Sequence, residues 1–154
     1  MIIIMILKLK WKNSLRIIGF KNFTLLQNNA IDLENYILCG ARGWGDSTKG
    51  KDFDEKMIKR EVIRLELSLK AGKLLQQEYL TYKGVKKEIL VMMHYPPYDI
   101  YEFRTLLERY KVSVCIYGHL HGFGHSKVFE GILNGVNYKM VSIDYTGFKP
   151  IKIK

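Results

Sequence analysis

The chain has 154 residues, a formal net charge of +10, 47% hydrophobic and 26% charged residues. This length and balance exclude wholesale disorder and allow one sizeable core rather than several domains. Two cysteines, Cys39 and Cys115, are too few for a disulfide scaffold, and both sit in apolar runs that predict buried free thiols in a reducing compartment.

Met1 to Leu7 is wholly apolar, and Lys8, Lys10 and Lys12 follow at once. A membrane-spanning helix needs about 20 apolar residues, and a secretory leader carries its positive charge before the apolar run. The stretch therefore reads as a buried strand of a cytoplasmic protein with no membrane partner. Phe23–Gln27 and Asn35–Cys39 predict two strands, and the turn-forming Asn28-Asn29-Ala30 between them predicts a hairpin-like connection. A glycine-rich loop, Gly40 to Gly50, comes next. Asp52 with Glu55 three residues on forms a capping-box pattern. It opens a helix running to about Gln77, in which Ile58, Val62, Leu65 and Leu69 recur at steps of four, three and four. Ile63, Leu74 and Leu75 broaden this apolar stripe. Glu55 with Lys59 and Glu66 with Lys70 make i,i+4 pairs on the wet side, and Gly72 weakens the last turns.

The second half alternates. Glu88–Met93 predicts a buried strand, Asp99–Tyr110 a helix with Leu106 and Leu107 inward, and Val112–Tyr117 another buried strand. Val128–Phe129 and Tyr138–Ile143 predict trailing antiparallel strands. Continuous apolar strands on either side of a helix imply a parallel βαβ crossover, so the class is α/β, or α+β, with layered sheets.

All four histidines lie beyond residue 93. His94 directly follows the strand Glu88–Met93; His119 and His121 directly follow Val112–Tyr117, in Tyr-Gly-His-Leu-His-Gly. A parallel crossover delivers both strand ends to one sheet edge, where ligand sites of open α/β sheets lie. Neutral imidazole is the commonest metal-ligating side chain, so three of them at two neighbouring strand ends predict a metal site.

Tyr-Gly-His-Leu-His-Gly (117–122) resembles the Gly-His-x-His signature of calcineurin-like metallophosphoesterases, and Met-Met-His-Tyr-Pro-Pro (92–97) resembles the metal-histidine motif that precedes it. The likeness is greatest to the bacterial phosphohydrolase branch and runs from about Asn13 to Lys154. It implies a layered β-sheet sandwich with flanking helices and a dinuclear site for two divalent ions, Mn, Fe or Zn, acting on a phosphorylated substrate. By position, His94 and His119 would ligate one metal and His121 the other. The family's earlier motifs, Asp-x-His, Gly-Asp and Gly-Asn-His-Asp/Glu, have no counterpart here, and Gly45-Asp46 stands too late in the chain to be the bridging carboxylate. The expectation is a single domain, 1–154, that forms the C-terminal part of such a fold behind an atypical leader (1–11), weakly active or inactive unless a separate N-terminal fragment completes it.

Arg42 and His125 are candidate substrate-phosphate contacts, Arg42 through its guanidinium fork. Trp44, Tyr95 and Tyr98 are candidate pocket walls, and Asp144 is a candidate partner orienting a ligand histidine. The competing reading is a non-catalytic basic module binding nucleic acid or another polyanion. Its weakness is that the basic residues are scattered along the chain rather than gathered on one arm or face.

Overall fold

The structure, a computed structural model, describes residues 3–5, 23–44 and 51–153. Gly45-Asp46, the Asp52 side chain and most of the leader lie outside the described residues. Two short strands, β1 (Ile3–Met5) and β2 (Phe23–Leu25), pair in parallel. The main sheet has six strands: β3 (Ile31–Asp32), β4 (Tyr36–Ala41), β5 (Glu88–Met93), β6 (Val114–Tyr117), β7 (Gly131–Leu133) and β8 (Val136–Met140), in the order β3-β4-β5-β6-β8-β7. Helix α1 (Lys51–Lys83) joins β4 to β5, and α2 (Tyr101–Arg109) joins β5 to β6. The α/β class and the parallel crossover expected from the apolar runs are both present.

Strands β4, β5, β6 and β8 are parallel neighbours, and β3 and β7 flank them antiparallel. Both helical crossovers step the same way across the sheet, so right-handed connection puts α1 and α2 on one face. They touch there: Glu66 of α1 accepts hydrogen bonds from Arg109 Nη2 at 2.9 Å and from the Tyr110 hydroxyl at 3.3 Å. Alternation along each strand sorts the core. Ile37, Cys39, Val91, Met93, Cys115, Tyr117, Tyr138 and Met140 face the helices, with Leu65, Leu69, Phe103 and Leu107 packed against them. Leu38, Leu90 and Val114 face the other way, and Leu26, the residue after β2, is buried among them.

Several local expectations are corrected. The hairpin partner of β4 is the two-residue β3, not the Phe23 segment, because β2 is taken by β1. Helix α1 continues six residues past Gln77 and stops where Gly84 adopts φ +64 and its N–H bonds to the Leu80 carbonyl at 3.1 Å. Its core stripe is narrower than expected, since Ile63 and Leu74 are 59% and 69% exposed. Val128–Phe129 is not a strand; a 3₁₀ turn (Gly122–Lys127) leads into it and β7 begins at Gly131. The last strand ends at Met140, and although it is antiparallel to β7 it is parallel to β6.

Both cysteines are buried and unpaired. Cys39 is opposite Val91, which is opposite Cys115, so two strand spacings of ~4.8 Å hold the sulfurs' backbones beyond the ~7 Å limit of a disulfide. Burial pushes the Cys39 thiol up to about 12 and the Cys115 thiol higher still.

Candidate metal centre

The carboxyl ends of β5, β6 and β8 emerge at one sheet edge, as parallel pairing requires. His94 leaves β5 there, and the turn Gly118-His119-Leu120-His121 leaves β6. The two turns are joined by the Gly118 N–H, which donates to the His94 carbonyl at 3.1 Å, and the second turn is closed on itself by the Leu120 N–H to the Gly118 carbonyl at 2.9 Å. From the other side, the Arg42 carbonyl accepts the N–H groups of His94 and Tyr95, both at 3.2 Å. His119 pays for its position with a left-handed backbone, φ +71, unusual for a non-glycine residue and typical of functional turns.

This scaffold brings two imidazoles together edge-on, with centroids 5.0 Å apart and planes at 67°. His94 Nε2 lies 3.2 Å from His119 Nδ1. Two nitrogens each ~2.0–2.1 Å from a shared ion have about that separation, so the pair fits two ligand positions of one divalent cation. Burial first, then the charges of His119, Arg42 and His121, hold the His94 imidazole below its ordinary 6.5 and favour the neutral, ligating form. Tyr95 packs its ring on His119, with centroids 4.0 Å apart, and edge-on to His94 at 4.8 Å, which restricts both rings. Among the described residues no group of three or more His, Cys, Asp or Glu side chains could hold a metal ion together, so His94 and His119 form a partial donor set.

His121 is engaged differently. Its Nδ1 lies 2.8 Å from Asp144 Oδ1, and Gly122 N–H donates to Asp144 Oδ2 at 3.2 Å. His125 Nε2 is 3.2 Å from the same Oδ2, with its ring edge-on to Tyr145. The hydrogen bond from His121 leads a set of contacts that hold the Asp144 carboxyl at about 2, against a modest desolvation. Arg42 is exposed, with its guanidinium carbon 4.1 Å from the centroid of the Trp44 ring. Trp44 is half-buried, 5.8 Å centroid to centroid from Tyr95. Tyr98 is no pocket wall: it is 8% exposed in the core, and its hydroxyl donates to the Lys127 carbonyl at 2.7 Å.

Two residues of α1 support the site and were not singled out from the sequence. Ser68 Oγ accepts the Gly40 N–H at 2.9 Å and donates to the Asn29 carbonyl at 2.6 Å. Glu61, 1% exposed, accepts the buried Gly43 N–H at 3.1 Å and pairs with Arg64 at 2.6 Å. Gly43 has φ +71, and a Cβ there would meet Met93 Cε at 2.3 Å, so the Arg42–Trp44 turn needs both the glycine and its acceptor. The readable signal was a glutamate and a serine at inward positions of an otherwise apolar helix face.

A family model for calcineurin-like phosphoesterases matches residues 6–123. The match begins within the apolar N-terminal stretch and ends at the turn carrying His119 and His121. No curated protein and no solved structure matches the chain. Among the described residues no helix is long and apolar enough to cross a membrane.

Proposed function

The chain belongs to the calcineurin-like phosphoesterase family, and from that premise we propose that it is a metal-dependent phosphoester hydrolase whose metal-facing residues are His94, His119 and His121. The observation that carries the reading is the opposed pair, His94 Nε2 and His119 Nδ1, 3.2 Å apart at the sheet edge. In the metal-free protein two facing ring nitrogens must share one proton between them; with both lone pairs turned inward, they are arranged to hold a cation. His121, with Nδ1 committed to Asp144, has Nε2 left to serve a second ion.

When bound, divalent cations such as Mn, Fe or Zn supply the positive charge that polarises a phosphoryl group and acidifies a water. The chain's own residues then bind and orient the ester. Arg42, exposed beside His94, offers a planar guanidinium to the phosphoryl oxygens. His125, on the adjacent 3₁₀ turn with Nε2 3.2 Å from Asp144 Oδ2, is a second candidate contact to the phosphate. Among the described residues the donor set is rich in imidazole nitrogen and poor in carboxylate, so two cations there would meet little compensating charge. Weak metal retention and low turnover follow.

The test is hydrolysis of an aryl phosphate by the purified chain, with and without Mn²⁺. Slow release that requires the metal and disappears in His119→Ala supports the proposal. Hydrolysis that is indifferent both to metal and to this substitution overturns it. Turnover at the level of a complete dimetal enzyme would remove the argument from missing carboxylates while leaving the histidines in place.

A further inference from the structure

We propose that Asp144 is a positioning residue of the metal centre: it fixes His121 as the Nδ1–H tautomer and thereby presents Nε2 to the ion. The inference rests on the reading of His121 as a metal-facing residue. Asp144 lies beyond the segment that matches the family, so nothing in that match assigns it a role.

The fold places it by register. β8 runs parallel to β6 with Tyr117 opposite Met140, and Val141 N–H continues the ladder to the Tyr117 carbonyl at 2.8 Å. His121 and Asp144 are likewise 23 residues apart, and they meet four residues past those strand ends. The turn carrying Asp144 is closed on itself. Thr146 N–H donates to the Ser142 carbonyl at 3.0 Å, and Phe148 N–H to the Ile143 carbonyl at 2.8 Å, so the carboxylate is held by structure rather than by chance.

The chemistry of the contact decides the tautomer. An ionised carboxylate only accepts hydrogen bonds, so the proton between His121 Nδ1 and Asp144 Oδ1, 2.8 Å apart, belongs to the ring. A neutral imidazole with its proton on Nδ1 has its lone pair on Nε2. The second carboxylate oxygen takes the Gly122 N–H at 3.2 Å, which fixes the backbone next to the same ring. One group thus sets the proton, the ring orientation and the adjoining peptide. Carboxylate partners of this kind typically change metal affinity 10–100-fold when removed.

The experiment compares the full chain with Asp144→Ala and Asp144→Asn in two measurements. Ring ¹⁵N resonances of His121 in the metal-free protein report the tautomer, and calorimetric titration with Mn²⁺ reports affinity. Wild type should show Nδ1–H. Asp144→Ala should lose that preference and bind Mn²⁺ about 10–100-fold more weakly. Asp144→Asn keeps the shape and an acceptor for the Gly122 N–H, but its amide NH2 then faces His121 Nδ1 and should move the ring proton to Nε2, weakening Mn²⁺ binding about as much as alanine does in a chain that still folds, which a merely structural role would not predict. Should the alanine variant fail to fold, the asparagine variant still decides: Mn²⁺ affinity equal to wild type there overturns the proposal. Wild-type tautomer and affinity in Asp144→Ala overturn it as well. A wild-type chain that takes up no Mn²⁺ overturns the metal reading and this inference with it, and is told apart from the other failures because the parent protein itself is silent.

Discussion

His94 Nε2 and His119 Nδ1 stand 3.2 Å apart although 25 residues separate them in the chain. The meeting depends on two parallel strands ending at the same edge and on the hydrogen bond from Gly118 N–H to the His94 carbonyl. A cation that binds this folded arrangement and not the unfolded chain should be visible as stability. At a hundredfold excess over its dissociation constant, Mn²⁺ should contribute about 2.7 kcal/mol and raise the melting temperature by about 5–10 °C. Chelation should reverse the rise, and His94→Ala should abolish it. A melting temperature indifferent to Mn²⁺ and Zn²⁺ in the wild-type chain would remove the metal centre.

The buried carboxylate of Glu61 should be worth more than its surface-exposed neighbours. Its partners include the Gly43 N–H at 3.1 Å, Arg64 at 2.6 Å and, at 3.8 Å, Arg60. Glu61→Ala leaves a buried donor without its acceptor and should cost about 1–3 kcal/mol in urea unfolding. Glu61→Gln keeps an accepting oxygen and should recover part of the loss. A Glu61→Ala midpoint equal to wild type would mean that the Arg42–Trp44 turn stands without the helix.

What could be read in advance, and what could not, follows from how local each signal is. Ile89, Val91 and Met93, and again Val114 to Tyr117, are continuous apolar runs with a histidine just past their ends, so the crossover and the edge carrying His94 and His119 were legible. β3 was not legible, because two residues, Ile31 and Asp32, carry no periodicity. The end of α1 was overlooked because Glu78 to Lys83 keep helical backbone on the surface without apolar spacing to mark it. The parallel pairing of β8 with β6 has only a short 3₁₀ turn and β7, and no α-helix, in its connection to signal a crossover, and that pairing is what brings Asp144 to His121. Tyr98 stood next to the motif in sequence, yet its ring belongs to the core with Tyr117, Phe129 and Tyr138.

Asp32 and Lys87 tie the β3 edge to the sheet. The Lys87 ammonium pairs with Asp32 and also donates to the Leu33 carbonyl at 2.7 Å, and the Tyr79 hydroxyl donates to the same carboxylate. Desolvation would raise the Asp32 carboxyl, but the hydrogen bonds from Lys87 and Tyr79 hold it below the ordinary 3.8. A group whose folded value is depressed stabilises fully above its unfolded value and loses that contribution as pH falls through the folded one. The stability gap between wild type and Asp32→Asn should therefore be constant above 3.8 and close below it. Urea midpoints measured across this range check the sign, and a gap that persists unchanged into strong acid would show the pair contributes nothing through its charge.

Gly72 reverses an expectation drawn from propensity. In an exposed helix, Gly→Ala gains about 1 kcal/mol. Here α1 lies so close to β4 that a Cβ on residue 72 would meet Cys39 Sγ at 2.4 Å, with Ile37 Cγ2 at 3.5 Å behind it. Cys39 is fully buried on a central strand, so its sulfur has no free space to move into. Overpacking of this kind costs about 1–3 kcal/mol, which outweighs the propensity gain, and Gly72→Ala should destabilise the protein by about 1 kcal/mol net. The cause can be isolated. Cys39→Ala removes the clashing atom, and in that background Gly72→Ala should become neutral or stabilising, because the new methyl occupies the space the sulfur left. The double-mutant cycle should then show a favourable coupling of about 1–2 kcal/mol. Additive effects of the two substitutions would mean that the helix shifts away from the sheet at little cost, and that the glycine is not what sets the distance between α1 and β4.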